Sequence, residues 1–93
     1  MKFYIDNNDC NISFWTEIQR NKLTAIYINI KEKNNIYEVV FFENGKFHNN
    51  KNIAIINIYY GYKQFYLNGK LYGNEDDFTK KTWRKFIKLK AFL

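Results

Sequence analysis

Two hydrophobic periods divide this chain. Up to about residue 73 apolar positions tend to alternate with polar ones; beyond that they recur every three or four residues. Residues 2–5 predict a short first strand, closed by the polar cluster Asp6-Asn7-Asn8-Asp9. Over 12–18, Ile12, Phe14, Thr16 and Ile18 alternate with Ser13, Trp15 and Glu17, which predicts a second strand before a turn at Arg20-Asn21-Lys22. From Leu23 to Ile30 the alternation is clean: Ile26, Ile28 and Ile30 share one face, and Ala25, Tyr27 and Asn29 the other. After the polar break at 31–35, residues 36–42 read as a more fully buried strand, and further strands follow at 53–60, 63–67 and Leu71-Tyr72.

The last fifth reads as an amphipathic helix. Asn74 is the expected N-cap, with Asp77 three residues later as the second half of a capping box. At 100° per residue, Phe78, Thr82, Trp83, Phe86, Ile87, Leu89 and Leu93 fall on one half of the wheel, while Lys80, Lys81, Arg84, Lys85 and Lys88 occupy most of the other. Lys90 and Phe92 break the pattern near the end. The expected fold is α+β in one domain: an antiparallel sheet of six or seven short strands over 1–73, with a basic helix over 74–93 packed on one face.

The sheet region contains a repeat. Phe41-Phe42-Glu43-Asn44-Gly45-Lys46-Phe47-His48 matches Phe65-Tyr66-Leu67-Asn68-Gly69-Lys70-Leu71-Tyr72 at an offset of 24 residues. Asn-Gly between apolar segments marks a two-residue hairpin turn, because both central positions need positive φ. A hairpin unable to bury its own apolar face gains by stacking on a copy of itself. From about Tyr37 to Lys88 this pattern resembles a repeat of phage and mobile-element proteins that reads Trp-Tyr-x-Asn-Gly-Lys-Leu-His-Arg-x-Asp-Gly-Pro-Ala, often followed by an acidic helix start and one amphipathic helix. His48 stands at the repeat's histidine; Phe41 and Phe65 replace its Trp, and Lys51-Asn52-Ile53 replaces its Asp-Gly-Pro. The resemblance implies a phage or mobile-element setting.

Composition bounds the chemistry. Ninety-three residues suffice for one domain, and a hydrophobic share of 46% with 26% charged residues excludes wholesale disorder. Aromatic residues make up 20% of the chain, the plausible source of stability in so small a domain. A lone Cys10 forms no internal disulfide, the apolar run Ile53-Ala54-Ile55-Ile56 is far too short to span a membrane, and the first residues lack a signal-peptide pattern. A cytoplasmic location follows as the expectation, in the host cell if the source is a phage. One His, one Cys and one Ser13 are poor material for a nucleophile–base pair or a zinc site. Glu75-Asp76-Asp77 suits a helix start, and the four glycines read as turn residues. No catalytic residue, metal or cofactor is expected.

Binding is the better reading. The net charge is +6, and residues 80–93 hold six cations and no acid, so the helix carries the whole excess. Its basic face, with Lys63, Lys70 and exposed tyrosines, suits RNA or single-stranded DNA. Only two of the fifteen basic residues are arginine, which argues against reading of base sequence. Trp15, Tyr27, Tyr37 and Tyr66 are the aromatics expected on a sheet face left open to a protein partner. In a phage setting a small protein without a catalytic site is similar in kind to anti-CRISPR inhibitors. The leading expectation is therefore an inhibitor that binds a larger host protein or ribonucleoprotein complex; the alternative is a nonspecific RNA- or single-stranded-DNA-binding domain. The chain is expected as a monomer, or as a homodimer paired through an edge strand such as 2–5.

Overall fold

The computed structural model describes residues 1–7, 12–31 and 35–92. Nine elements follow in order: β1 (Lys2–Asp6), α1 (Ile12–Arg20), β2 (Ala25–Lys31), β3 (Asn35–Glu43), β4 (Lys46–Phe47), β5 (Ile55–Asn57), β6 (Tyr62–Leu67), β7 (Lys70–Asn74) and α2 (Lys80–Lys90). The strands form one sheet in the order β1-β2-β3-β5-β6-β7, with β4 also paired to β3. The fold is α+β, and five of the six strand pairings among the described residues are antiparallel.

Two expectations are corrected at the N-terminal end. Residues 12–18 lie in a helix, and β1 runs parallel to β2. Phe14 and Ile18 fit a two-residue period and equally an i, i+4 helical pair, so alternation alone misassigned them. Trp15 is what breaks the tie, because on a helix it joins Phe14 and Ile18 on one face. Its ring meets Tyr27, Phe42 and Phe47 at 5.8, 5.9 and 5.3 Å, all edge-on. The helix stops on a left-handed residue, Lys22 at φ +52°. The Leu23 N–H reaches the Ile18 carbonyl and the Lys22 N–H that of Gln19, satisfying two terminal carbonyls. A helix between two strands supplies the crossover that parallel pairing needs.

Alternation then sorts the sheet into two faces. One carries Ala25, Tyr27, Val40, Phe42 and Ile55, which with Ile18 form the core beneath α1. The opposite face carries Phe65 and Leu67, which with Trp83 form a second core beneath α2. Each helix covers a different half of the sheet.

The repeat folds as two hairpins side by side. Their tips match residue for residue: Phe42 pairs with Phe47 and Glu43 with Lys46, as Tyr66 pairs with Leu71 and Leu67 with Lys70. Asn44, Gly45, Asn68 and Gly69 all have positive φ, between +51° and +82°. The Gly69 N–H bonds to the Phe47 carbonyl and the Asn49 N–H to that of Tyr66, so the second hairpin is stitched to the returning arm of the first.

That returning arm is interrupted. The Phe41 carbonyl accepts from the His48 N–H, and the Phe41 N–H donates to the Ala54 carbonyl, so residues 48 and 54 both lie against one residue of β3. Residues 49–53 leave the sheet between them as a loop. Asn49 closes it: its Oδ1 accepts from the Lys51 and Asn52 N–H groups and its Nδ2 donates to Ile53.

Helix α2 begins later than expected. Its cap is Thr79, which exchanges side-chain and backbone hydrogen bonds with Thr82 in a capping box. Asn74 and Asp77 instead close a separate turn: the Asp77 carboxylate accepts from the Asn74 N–H at 2.8 Å, and Asn74 accepts from Asp76 at 2.9 Å. The same reciprocal chemistry serves a turn here, because β7 extends as far as Asn74.

Candidate nucleic-acid interface

The capping box fixes where α2 starts, and Trp83 fixes how it lies. Trp83 is completely buried, and its ring touches Phe65, Tyr72, Phe78 and Phe86. Its Nε1–H donates to the Asn49 carbonyl at 2.9 Å. One residue on, the Arg84 Nε–H donates to the Lys51 carbonyl at 3.0 Å. The 49–53 loop therefore receives the helix at two points.

With that face committed, Lys80, Lys81, Arg84, Lys85 and Lys88 line one shallow depression on the outer side. All five are exposed, and among the described residues none forms an ion pair. Three pairs, Lys80/Arg84, Lys81/Lys85 and Arg84/Lys88, stand four residues apart, where like charges repel by a few tenths of a kcal/mol each. A polyanion laid along the helix relieves that repulsion and gains the attraction.

The remaining basic candidates are placed differently. Lys63 faces Glu75 at 3.9 Å, and Lys70 lies over the Tyr72 ring, 5.3 Å from its centre, with Lys90 on the same ring at 5.7 Å. Neither Lys63 nor Lys70 lines the depression of the helix face.

The aromatic candidates need correction. Trp15 belongs to α1 and packs into the core, and Tyr27 is buried beneath that helix. Tyr66 is half-buried against Phe47 at 5.3 Å. The face bearing Tyr27 is covered, because α1 is a helix and lies over it. On the opposite face, α2 covers the Phe65–Leu67 part, and away from it Ile5, Ile28, Val39 and Ile56 form one apolar row across four strands, beside Phe3, Ile26 and Phe41.

Of the four, Tyr37 contributes to a surface depression. The β2–β3 register shifts between Asn29 and Ile30, so Tyr37 is the extra residue of a bulge and shares a polar hollow with Glu38. Asn29, Lys31, Asn57, Tyr59 and Tyr60 complete its walls. The Lys31 ammonium sits 4.9 Å from the Tyr37 ring centre, Tyr59 stacks on Tyr37 at 5.7 Å, and Asn57 donates to Glu38 at 2.8 Å. Alternation concealed this hollow, because a bulge breaks the period that would reveal it.

Beside the hollow, the Tyr27 hydroxyl donates to the buried Asp6 carboxylate at 2.6 Å and accepts from Asn29 at 3.1 Å. Burial, then the bond to Asp6, raises Tyr27 well above the usual tyrosine value. Burial, then the charge of Glu38, raises Tyr62. An unfolded tyrosine releases its proton near pH 10, whereas the folded chain retains these two. Their contribution to stability is thus fully present below about pH 10 and falls as the pH rises beyond it. Urea unfolding at pH 9 and pH 11 should show this decline, and Tyr27→Phe should flatten it. The same variant should lose about 1–3 kcal/mol at neutral pH, because Asp6 loses a donor.

The three candidates for chemistry, His48, Cys10 and Ser13, are placed differently, Ser13 within α1. His48 uses both ring nitrogens to hold the hairpins: Nδ1 accepts from the Asn68 N–H at 3.0 Å and Nε2 lies 2.8 Å from Glu43. Cys10 lies outside the described residues. Among those residues there is no cluster of three His, Cys, Asp or Glu side chains able to hold a metal, and no helix is long and apolar enough to cross a membrane. No protein-family model matches the sequence, and comparison with curated proteins and with solved structures gives no match.

Proposed function

We propose that the protein is a non-enzymatic binding protein that engages the phosphate backbone of RNA or single-stranded DNA through the outer face of α2. The observation that carries this reading is the uncompensated row Lys80, Lys81, Arg84, Lys85 and Lys88 on a helix whose opposite face is locked by Trp83. Lysines act as point charges along a phosphate chain, which favours binding without regard to base sequence.

Fluorescence anisotropy with a labelled oligonucleotide tests it. Affinity should fall as salt rises, with a log–log slope of about −0.7 per phosphate contacted on a single strand. Lys81→Glu with Lys85→Glu should weaken binding at least tenfold and flatten that slope, while circular dichroism stays unchanged because both side chains point away from the core. Binding that ignores the double reversal overturns the reading.

A second reading is supported by the apolar row on β1, β2, β3 and β5 and by the hairpin repeat: a phage or mobile-element inhibitor that occupies a surface of a larger host complex. It requires capture of a defined host nuclease complex that Ile28→Lys abolishes and the helix reversals leave intact.

A further inference from the structure

The two edges of the sheet are unlike. β7 carries the protections of a natural edge: an irregular register against β6 between Phe65 and Tyr66, and Lys70 at its start. β1 also starts on a lysine, Lys2, but has no bulge and no proline. It pairs with β2 in unbroken register over all five residues, from Lys2 opposite Ala25 to Asp6 opposite Asn29.

The direction of its spare hydrogen bonds is readable. The Lys2 N–H points inward, to the Thr24 carbonyl. Backbone groups alternate along a strand, so those of Phe3 and Ile5 point outward, and no described residue pairs with them. Both side chains are also unusually bare for their type, at 62% and 56% exposed.

We propose that β1 pairs antiparallel with β1 of a second copy, about a two-fold axis at Tyr4. In that register Phe3 and the partner's Ile5 exchange both backbone hydrogen bonds, and the symmetric pair does the same. All four outward N–H groups and carbonyls at Phe3 and Ile5 of each chain are then used. Pairing and charge select this arrangement. Asp6 is buried against Tyr27, so the exposed charge on β1 is Lys2; parallel pairing in register sets lysine against lysine, whereas antiparallel pairing keeps the two lysines at opposite ends. Shifting the centre to Phe3 sets Ile5 across from the partner's Met1, and shifting it to Ile5 sets Phe3 across from the partner's Asn7, both outside β1. On the face of the apolar row Phe3 meets the partner's Ile5, an apolar cross-strand pair.

Sedimentation and light scattering from micromolar to near-millimolar concentration should show a species of twice the 11.4 kDa chain mass. Ile5→Pro should return the protein to monomer with little change in thermal midpoint, because it removes an outward N–H and no bond to β2. Register is read by disulfide trapping in a Cys10→Ser background. Tyr4→Cys should cross-link to itself on oxidation, since a non-hydrogen-bonded pair at the axis sits about 4.5 Å apart, within disulfide range. Phe3→Cys should not, because its own copy lies diagonally at about 7–8 Å. A monomer at every concentration overturns the proposal. So does a dimer that survives Ile5→Pro and leaves Tyr4→Cys uncross-linked, which would place the contact elsewhere.

Discussion

Replacing Trp83 with alanine is expected to cost about 3–5 kcal/mol, the range for deleting a fully buried large aromatic. For a domain of this size that is a large part of the total, since small proteins retain only about 5–15 kcal/mol. The loss falls on one place. Trp83 is in the second core, its ring joins Phe65, Tyr72, Phe78 and Phe86, and its N–H satisfies the Asn49 carbonyl. The helix should detach while the core beneath α1 persists, so far-ultraviolet circular dichroism should fall before the environment of Trp15 changes. Trp83→Phe separates the two contributions: it keeps an aromatic ring and removes the donor. It should cost about 1–3 kcal/mol, the penalty of a polar group left without its partner. A Trp83→Ala protein with an unchanged urea midpoint would contradict the anchoring described here. Oligonucleotide affinity should fall with it, because the five basic side chains lose their fixed spacing.

The second large effect separates two glycines that the repeat makes look equivalent. Gly45 and Gly69 sit at the same place in matching hairpins, at φ +76° and +82°. A side chain at either pays for the left-handed conformation, about 1–2 kcal/mol. At Gly69 nothing more is added, because a new Cβ would lie 3.6 Å or more from the Lys46 side chain, an ordinary contact. At Gly45 it would meet the Gln19 carbonyl at 2.8 Å and the Lys22 Cα at 3.0 Å, both backbone at the end of α1. Overpacking of that kind costs a further 1–3 kcal/mol or so. Gly45→Ala should therefore destabilise by about 2–5 kcal/mol and Gly69→Ala by about 1–2, measured as paired urea midpoints. Equal losses would mean that the first hairpin does not abut α1.

These glycines also show what was legible in the chain. Asn-Gly named both turns and the 24-residue offset paired the hairpins, because turn geometry is decided locally by residues that tolerate positive φ. The amphipathic spacing named α2 and its basic face for the same reason. What could not be read was settled at longer range. Phe14 and Ile18 satisfied two periods, and only packing against β2, β3 and β4 decides between them. That decision also settles which sheet face is covered, and so moves Trp15 and Tyr27 from surface candidates to core. The Tyr37 hollow depends on a register shift against β2, and the Trp83 anchor on a carbonyl 34 residues away in the sequence.

The parallel placement of β1 has a consequence for the order of assembly. β2 and β3 meet within four residues, at Lys31 and Asn35, and the Leu67–Lys70 pair of β6 and β7 is closer still. Every β1 residue instead finds its partner 23 positions along, as Lys2 does Ala25 (25 − 2). Ladders that close short loops form first, since the entropy of closing a loop grows with its length. The hairpins should thus zip early and β1 dock last. By the same logic it should be the first strand to leave, with β1 amides exchanging ahead of those in β2 and β3.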